Sequence, residues 1–171
     1  MRRASALGIM LLAAAGCGGV AAPDVFIAFA EDFRGYHGWR SFDVTDTAPP
    51  GEAHLGTTLT AFIDPVPPHG SEAFPLGTKV VKEPTGPTAP ATFFAMVKRG
   101  GGYNASGASG WEWFELQNAG DGRDGVTINW RGVGPPTGEM YGGDPTGGCN
   151  TCHSACTNDS VCAPALGLSG F

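Results

Sequence analysis

Near its C-terminus the chain reads Cys149-Asn150-Thr151-Cys152-His153. Two thiols three positions apart, followed directly by an imidazole, spell C-x-x-C-H, the attachment signal of a c-type haem. Each thiol can form a thioether to a haem vinyl group, and the adjacent histidine can then ligate the iron through a ring nitrogen. Other chemistries fit less well. A thioredoxin-like dithiol needs a βαβ setting, and none surrounds the motif. A zinc site needs a second ligand pair, for which Cys156 and Cys162 offer only a loose spacing. The cofactor implied is covalent haem c, with His153 as the metal ligand.

The N-terminus says where such a haem would be attached. Arg2 and Arg3 precede an apolar run, Ala4 to Ala15, that ends in Ala14-Ala15-Gly16-Cys17. This is the pattern of a secretory signal peptide, and the run is too short to span a membrane. Small residues before a cysteine resemble a bacterial lipoprotein signal, with residues 1–16 removed and Cys17 lipidated. The alternative is ordinary cleavage just beyond Cys17. Either reading exports the chain, to the periplasm or as an outer-membrane lipoprotein. Residues 17–24 then form a tether and residues 25–171 the haem domain.

The net charge of −6 becomes more negative once Arg2 and Arg3 are lost. An acidic surface disfavours nucleic acid or an anionic membrane as partner. Cysteine use agrees with export. With Cys17 assigned to lipid and Cys149 and Cys152 to haem, Cys156 and Cys162 remain, in a compartment that permits disulfides. The turn-forming Thr157-Asn158-Asp159-Ser160 between them predicts a local Cys156–Cys162 bridge.

The elements that must position these residues are mainly strands. Thr57–Asp64, Thr78–Glu83, Thr92–Arg99, Trp111–Leu116 and Val126–Trp130 are rich in β-branched and aromatic residues, and glycine or proline turns separate them. Val25–Ala30 is apolar and is either a first strand or the start of a helix. Trp39 and Phe42 are expected to anchor the segment that follows. With 28 glycines and 14 prolines in 171 residues, a helix bundle is excluded. The expectation is a single mainly β (α+β) domain, an antiparallel sheet with a C-terminal haem-attachment segment.

Only Ser154 to Phe171 follow the motif, without methionine or histidine. A sixth iron ligand must come from upstream or be absent. Met96, Met140, His37, His54 and His69 are the candidates. Met96 lies in an apolar strand that predicts core packing, and the histidines lie among turn residues. The expectation is an open sixth position, which suits small-molecule chemistry or sensing; the alternative is an upstream ligand, which suits an electron carrier.

Several blocks now line up. Phe74-Pro75-Leu76-Gly77-Thr78-Lys79-Val80-Val81-Lys82-Glu83, Ala95-Met96-Val97-Lys98-Arg99 with Gly102-Tyr103-Asn104, Gly110-Trp111-Glu112-Trp113-Phe114 and the final C-x-x-C-H occur in this order. Together, from about Trp39 to His153, they resemble the cytochrome P-460 family. The resemblance implies a β-rich, often dimeric fold with a five-coordinate haem on the C-terminal histidine. It also implies a lysine cross-linked to the porphyrin and oxidation of hydroxylamine, with nitric oxide handling as a related activity and the electron acceptor unidentified.

The family's lysine falls on Lys82. Alternation puts Val80 and Lys82 on one face of a strand and Lys79 and Val81 on the other. Lys82 would point inward, where burial favours the neutral, nucleophilic amine; the alternative is a side chain that snorkels out or pairs with a haem propionate. Phe93, Phe94 and Met96 are candidates to shield the open iron face. Asp144 is the candidate base for a bound substrate, its alternative being a turn-forming role. Arg99 and Arg131 are candidate propionate partners or simply surface charges. Two other functions stay open, a nitric oxide-binding or detoxifying protein without the cross-link and an electron-transfer cytochrome.

Overall fold

The computed structural model describes residues 23–47, 58–87, 89–122, 124–134 and 148–171. Residues 1–22 with Cys17, and also His54, Met140 and Asp144, lie outside them. Six antiparallel strands form one sheet in sequence order: β1 (Arg40–Asp43), β2 (Thr58–Asp64), β3 (Lys79–Thr85), β4 (Thr92–Lys98), β5 (Trp111–Asn118) and β6 (Val126–Gly132). The expected mainly β architecture is what the chain adopts. β1, which composition did not single out, is a short edge strand whose Phe42 pairs with Ala61. β3 runs on through Pro84, beyond the Lys79–Lys82 stretch that pairs with β4, so the missing N–H breaks no ladder there.

The register sorts the side chains. Ile63, Val80, Met96 and Trp113 stand side by side on one face, and Phe62, Val81, Ala95 and Phe114 on the other. Both faces are apolar, which is why Ala61–Ile63 of β2 and Phe93–Val97 of β4 are continuous hydrophobic runs.

The N-terminal segment covers the second face. Val25–Ala30 is neither strand nor α-helix. It makes a single bridge from Val25 to Gly100 and leads into two 3-10 turns, Ala30–Phe33 and Tyr36–Gly38. Gly35, at φ 72°, permits the bend between them. The turns carry Phe33 and Tyr36 into full burial, Phe33 edge-on to Phe114 at 5.2 Å and Tyr36 beside Phe93 at 5.5 Å. Trp39 packs on this face and Phe42 on the other.

A buried ion cluster pins the same segment. Glu112, 2% exposed, accepts two hydrogen bonds from Arg131 at 2.7 Å each and one from Arg99 at 3.0 Å. Arg131 also donates to the Ala28 carbonyl at 2.6 Å. A lone buried carboxylate would be costly, and two guanidiniums offset that cost.

The C-terminal segment, 148–171, covers the first face. Val161, Leu166 and Leu168 pack with Leu59, Ile63, Phe74, Trp111 and Trp113. The terminal Phe171 stands edge-on to Phe42 at 5.9 Å, with Arg40 over its ring.

His37 ties the first segment to the end of β3. Its Nε2 lies 2.8 Å from Glu83 and its Nδ1 3.2 Å from Asp124. Burial pulls the imidazole pKa down, but the hydrogen bonds and charges of Glu83 and then Asp124 outweigh it and hold the pKa above the usual 6.5. A raised folded-state pKa gives stability that is full below the unfolded value and lost as pH rises through the folded one. His37→Asn should therefore lower the urea midpoint most near about pH 5.5 and least near about pH 8.5. An equal loss at both would mean that His37 contributes through packing alone.

Candidate functional site

The motif forms one helical turn, α1 (Cys149–His153), laid on the first face of the sheet. A turn this short has no stability of its own, so its neighbours must hold it. Asn150 does much of that. Its Oδ1 accepts from Asn104 at 2.8 Å, from the Trp113 indole at 3.0 Å and from the Ala108 N–H at 3.1 Å. Its Nδ2 donates to Asn104 at 2.9 Å and to the Val133 carbonyl at 2.6 Å. Gly107 permits the approach, because a Cβ there would run into the Asn150 side chain.

Cys149 and Cys152 stand at i and i+3, on the same side of the turn. Among the described residues they are the free thiols, Cys149 half-buried and Cys152 exposed. Cys156 and Cys162 are joined, as their spacing predicts, with Cα atoms 5.2 Å apart. That bond consumes the second pair that a zinc site would need. No group of three or more His, Cys, Asp or Glu side chains among the described residues could hold a metal ion.

His153 is firmly oriented. Its ring lies 4.7 Å from that of Trp113, and its Nδ1 is 2.7 Å from the Ser160 carbonyl oxygen. A carbonyl only accepts, so Nδ1 carries the proton and Nε2 keeps its lone pair. Burial takes the His153 pKa down to about 4; the Ser160 bond opposes this and the charge of Lys82 adds to it. A neutral imidazole with one nitrogen anchored and the other available is the form that ligates a metal.

Lys82 lies on the same side. It pairs with Ala61 and Phe94 across neighbouring strands, in a row that continues to Glu115 and Trp130. The predicted inward face is the observed one, shared with Val80. Lys82 is half-buried, and desolvation takes its pKa down to about 7 against an opposing influence of Cys149. Burial likewise pushes the Cys149 thiol up to about 11, with Lys82 pulling the other way. Lys82, Cys149 and His153 thus share one neighbourhood that favours the uncharged form of each. The other block lysines differ. Lys79 pairs with Asp64 at 3.0 Å and Lys98 with Asp159 at 2.6 Å.

Some predicted site residues lie elsewhere. Phe94 and Met96 are on the face of Lys82, but Phe93 points the other way and packs against Tyr36, as alternation along β4 requires. Arg99 and Arg131 bind Glu112, on the face of the sheet opposite Lys82. Met96 is core, as expected, at 6% exposure, His37 is held by its carboxylates, and His69 is exposed. Asn150 escaped sequence reasoning because the inner positions of C-x-x-C-H are free to vary, and Ser160 because it acts through its backbone.

No family model, curated protein or solved structure matches this chain. The likeness to cytochrome P-460 therefore rests on its motif blocks alone.

Two outcomes check this geometry. In haem-free protein, Cys152 should react with a maleimide far faster than Cys149, and labelling of Cys149 should rise about tenfold per pH unit below its raised pKa. Asn150→Ala strands the Trp113 indole and the Ala108 N–H, and should cost roughly 2–4 kcal/mol in urea denaturation.

Proposed function

We propose that this chain is an exported c-type haem protein that oxidises a small nitrogen compound of the hydroxylamine type. The observation that carries this reading is the joint placement, on one sheet face, of two free thiols, an oriented neutral imidazole and an amine of lowered pKa. The residues fit the group. Cys149 and Cys152 supply the thioether sulfurs, and Nε2 of His153 is the available nitrogen. When bound, a haem supplies an iron that exchanges electrons and has a coordination position for a small ligand.

The chain's own residues do the rest. The Ser160 carbonyl and the Trp113 ring fix the angle of His153. Phe94, directly across from Lys82, adds apolar surface beside the site. With a pKa of about 7, an appreciable share of Lys82 is neutral amine at neutral pH, and a neutral amine is the nucleophile that a covalent link to the porphyrin would need, the nitrogen replacing a porphyrin hydrogen in a two-electron oxidation that an external oxidant would have to supply. This favours the cross-linked reading over a nitric oxide binder without the link. Asp144 stays the proposed proton acceptor for substrate, and electrons pass to an external acceptor. The Cys156–Cys162 bond suits an oxidising compartment, in keeping with export and lipidation at Cys17. The often dimeric state of cytochrome P-460 is carried over as a proposal too.

The deciding experiment is the ferrous absorption spectrum of protein matured with haem outside the cytosol, beside its Lys82→Ala variant. A strongly red-shifted Soret band that reverts in the variant is expected. An ordinary c-type spectrum in both would remove the cross-link, and a low-spin spectrum in both oxidation states would point to electron transfer.

A further inference from the structure

The Ser160 carbonyl reaches His153 from a loop fixed more firmly than a surface turn requires. Asp159 and Ser160 both adopt left-handed backbone, at φ 48° and 66°. Residues with side chains occupy that region at a cost, so the surroundings must enforce it. Asp159 is held from three directions. Its Oδ1 accepts from Lys98 Nζ at 2.6 Å, its Oδ2 from the Phe74 N–H at 2.9 Å and its carbonyl from the Trp111 indole at 2.7 Å.

The disulfide closes the loop around this anchor. The sulfurs of Cys156 and Cys162 lie 3.6 and 3.9 Å from the Cys152 carbonyl oxygen. A disulfide sulfur carries no hydrogen, so these are packing contacts against the end of α1. Backbone bonds complete the connection, from Cys156 N–H to the His153 carbonyl at 3.1 Å and from Ser160 N–H to the Cys156 carbonyl at 3.2 Å. Sheet, disulfide and helix end all converge on the direction of one carbonyl oxygen.

We propose that the Cys156–Cys162 loop is a ligand-orienting device. Asp159 and the disulfide are its positioning residues, and they hold the Ser160 carbonyl on Nδ1–H of His153 so that Nε2 donates strongly to a bound iron. This rests on the reading of His153 as the haem ligand. A firmly held N–H···O=C bond makes the opposite ring nitrogen more basic. A more basic axial ligand favours ferric over ferrous iron and so lowers the reduction potential. A slack loop would weaken both the hydrogen bond and the iron–nitrogen bond.

The test compares haem-loaded protein with the Cys156→Ser/Cys162→Ser pair, with Asp159→Ala and with the conservative Asp159→Asn. Covalent haem is read first, by haem stain after denaturing electrophoresis. In variants that carry it, the ferrous iron–histidine stretch in resonance Raman should shift down and the reduction potential up, with Asp159→Asn closer to the parent than Asp159→Ala. Both readouts unchanged in the disulfide-free and Asp159→Ala proteins would overturn the proposal. If Asp159→Ala does not fold, the disulfide-free pair, which keeps the Asp159 anchors, decides alone. A parent without haem would instead overturn His153 as ligand. The ring nitrogen shifts of His153 in haem-free protein would then judge the loop. An Nδ1–H tautomer that is lost in the variants supports orientation by the loop, and mixed tautomers in the parent overturn it.

Discussion

Ile63, Val80, Met96 and Trp113 point to one side of the sheet and Phe62, Val81, Ala95 and Phe114 to the other, so both faces need cover. Each large side chain taken out of water contributes about 1.5–3 kcal/mol, which makes an open face untenable. The one α-helix among the described residues is five residues long, so helices cannot supply the cover. Irregular chain does it instead. The N-terminal segment brings aromatic rings on 3-10 turns, and the C-terminal segment brings aliphatic residues, Val161 from a disulfide-closed loop and Leu166 and Leu168 from the 3-10 turns after it. Because irregular backbone leaves polar groups to be satisfied, side chains such as Asn150, Asp159 and Arg131 take over the hydrogen bonding that regular elements would provide.

The two covers carry different electrostatics. On the N-terminal side, charge is buried and neutralised, Glu112 between Arg99 and Arg131. On the C-terminal side Lys98 and Asp159 also pair, but around α1 charge is discouraged. Lys82 and His153 are pushed toward lower pKa and Cys149 toward higher, with burial the leading cause each time. The sheet separates these environments by the thickness of one backbone. Alternation along β3 makes the division sharp. Lys82 faces the region that favours neutral groups, while Glu83, the next residue, reaches His37 on the other side.

Much of this was legible in the sequence, for identifiable reasons. The five strands with β-branched and aromatic content were found nearly to the residue, and alternation gave the correct face for Lys82. The same rule applied to Phe93 and Phe94 would have separated them; grouping them by their apolar character did not. β1 is short and polar, so no hydrophobic pattern marked it. Val25–Ala30 looked like a regular element because its apolar residues are contiguous, yet a bridge and tight turns suit the glycines that follow. Arg99 and Arg131 could not be placed without knowing that Glu112, itself inconspicuous between two tryptophans, is buried. Asp159 and Ser160 read as turn formers, which they are, but which groups they hold depends on contacts with Phe74, β4, β5 and α1 that no local pattern encodes.

The Cys156–Cys162 bond also bears on how a haem-bearing chain of this kind would mature. Cysteines 149, 152, 156 and 162 are close in sequence, and to an electrophilic vinyl group one thiol is much like another. Cys156 follows Cys152 at a spacing near that of the productive pair, so a fully reduced chain offers the haem more than one place to attach. Closing the bridge first withdraws two of the four competitors and leaves one pair.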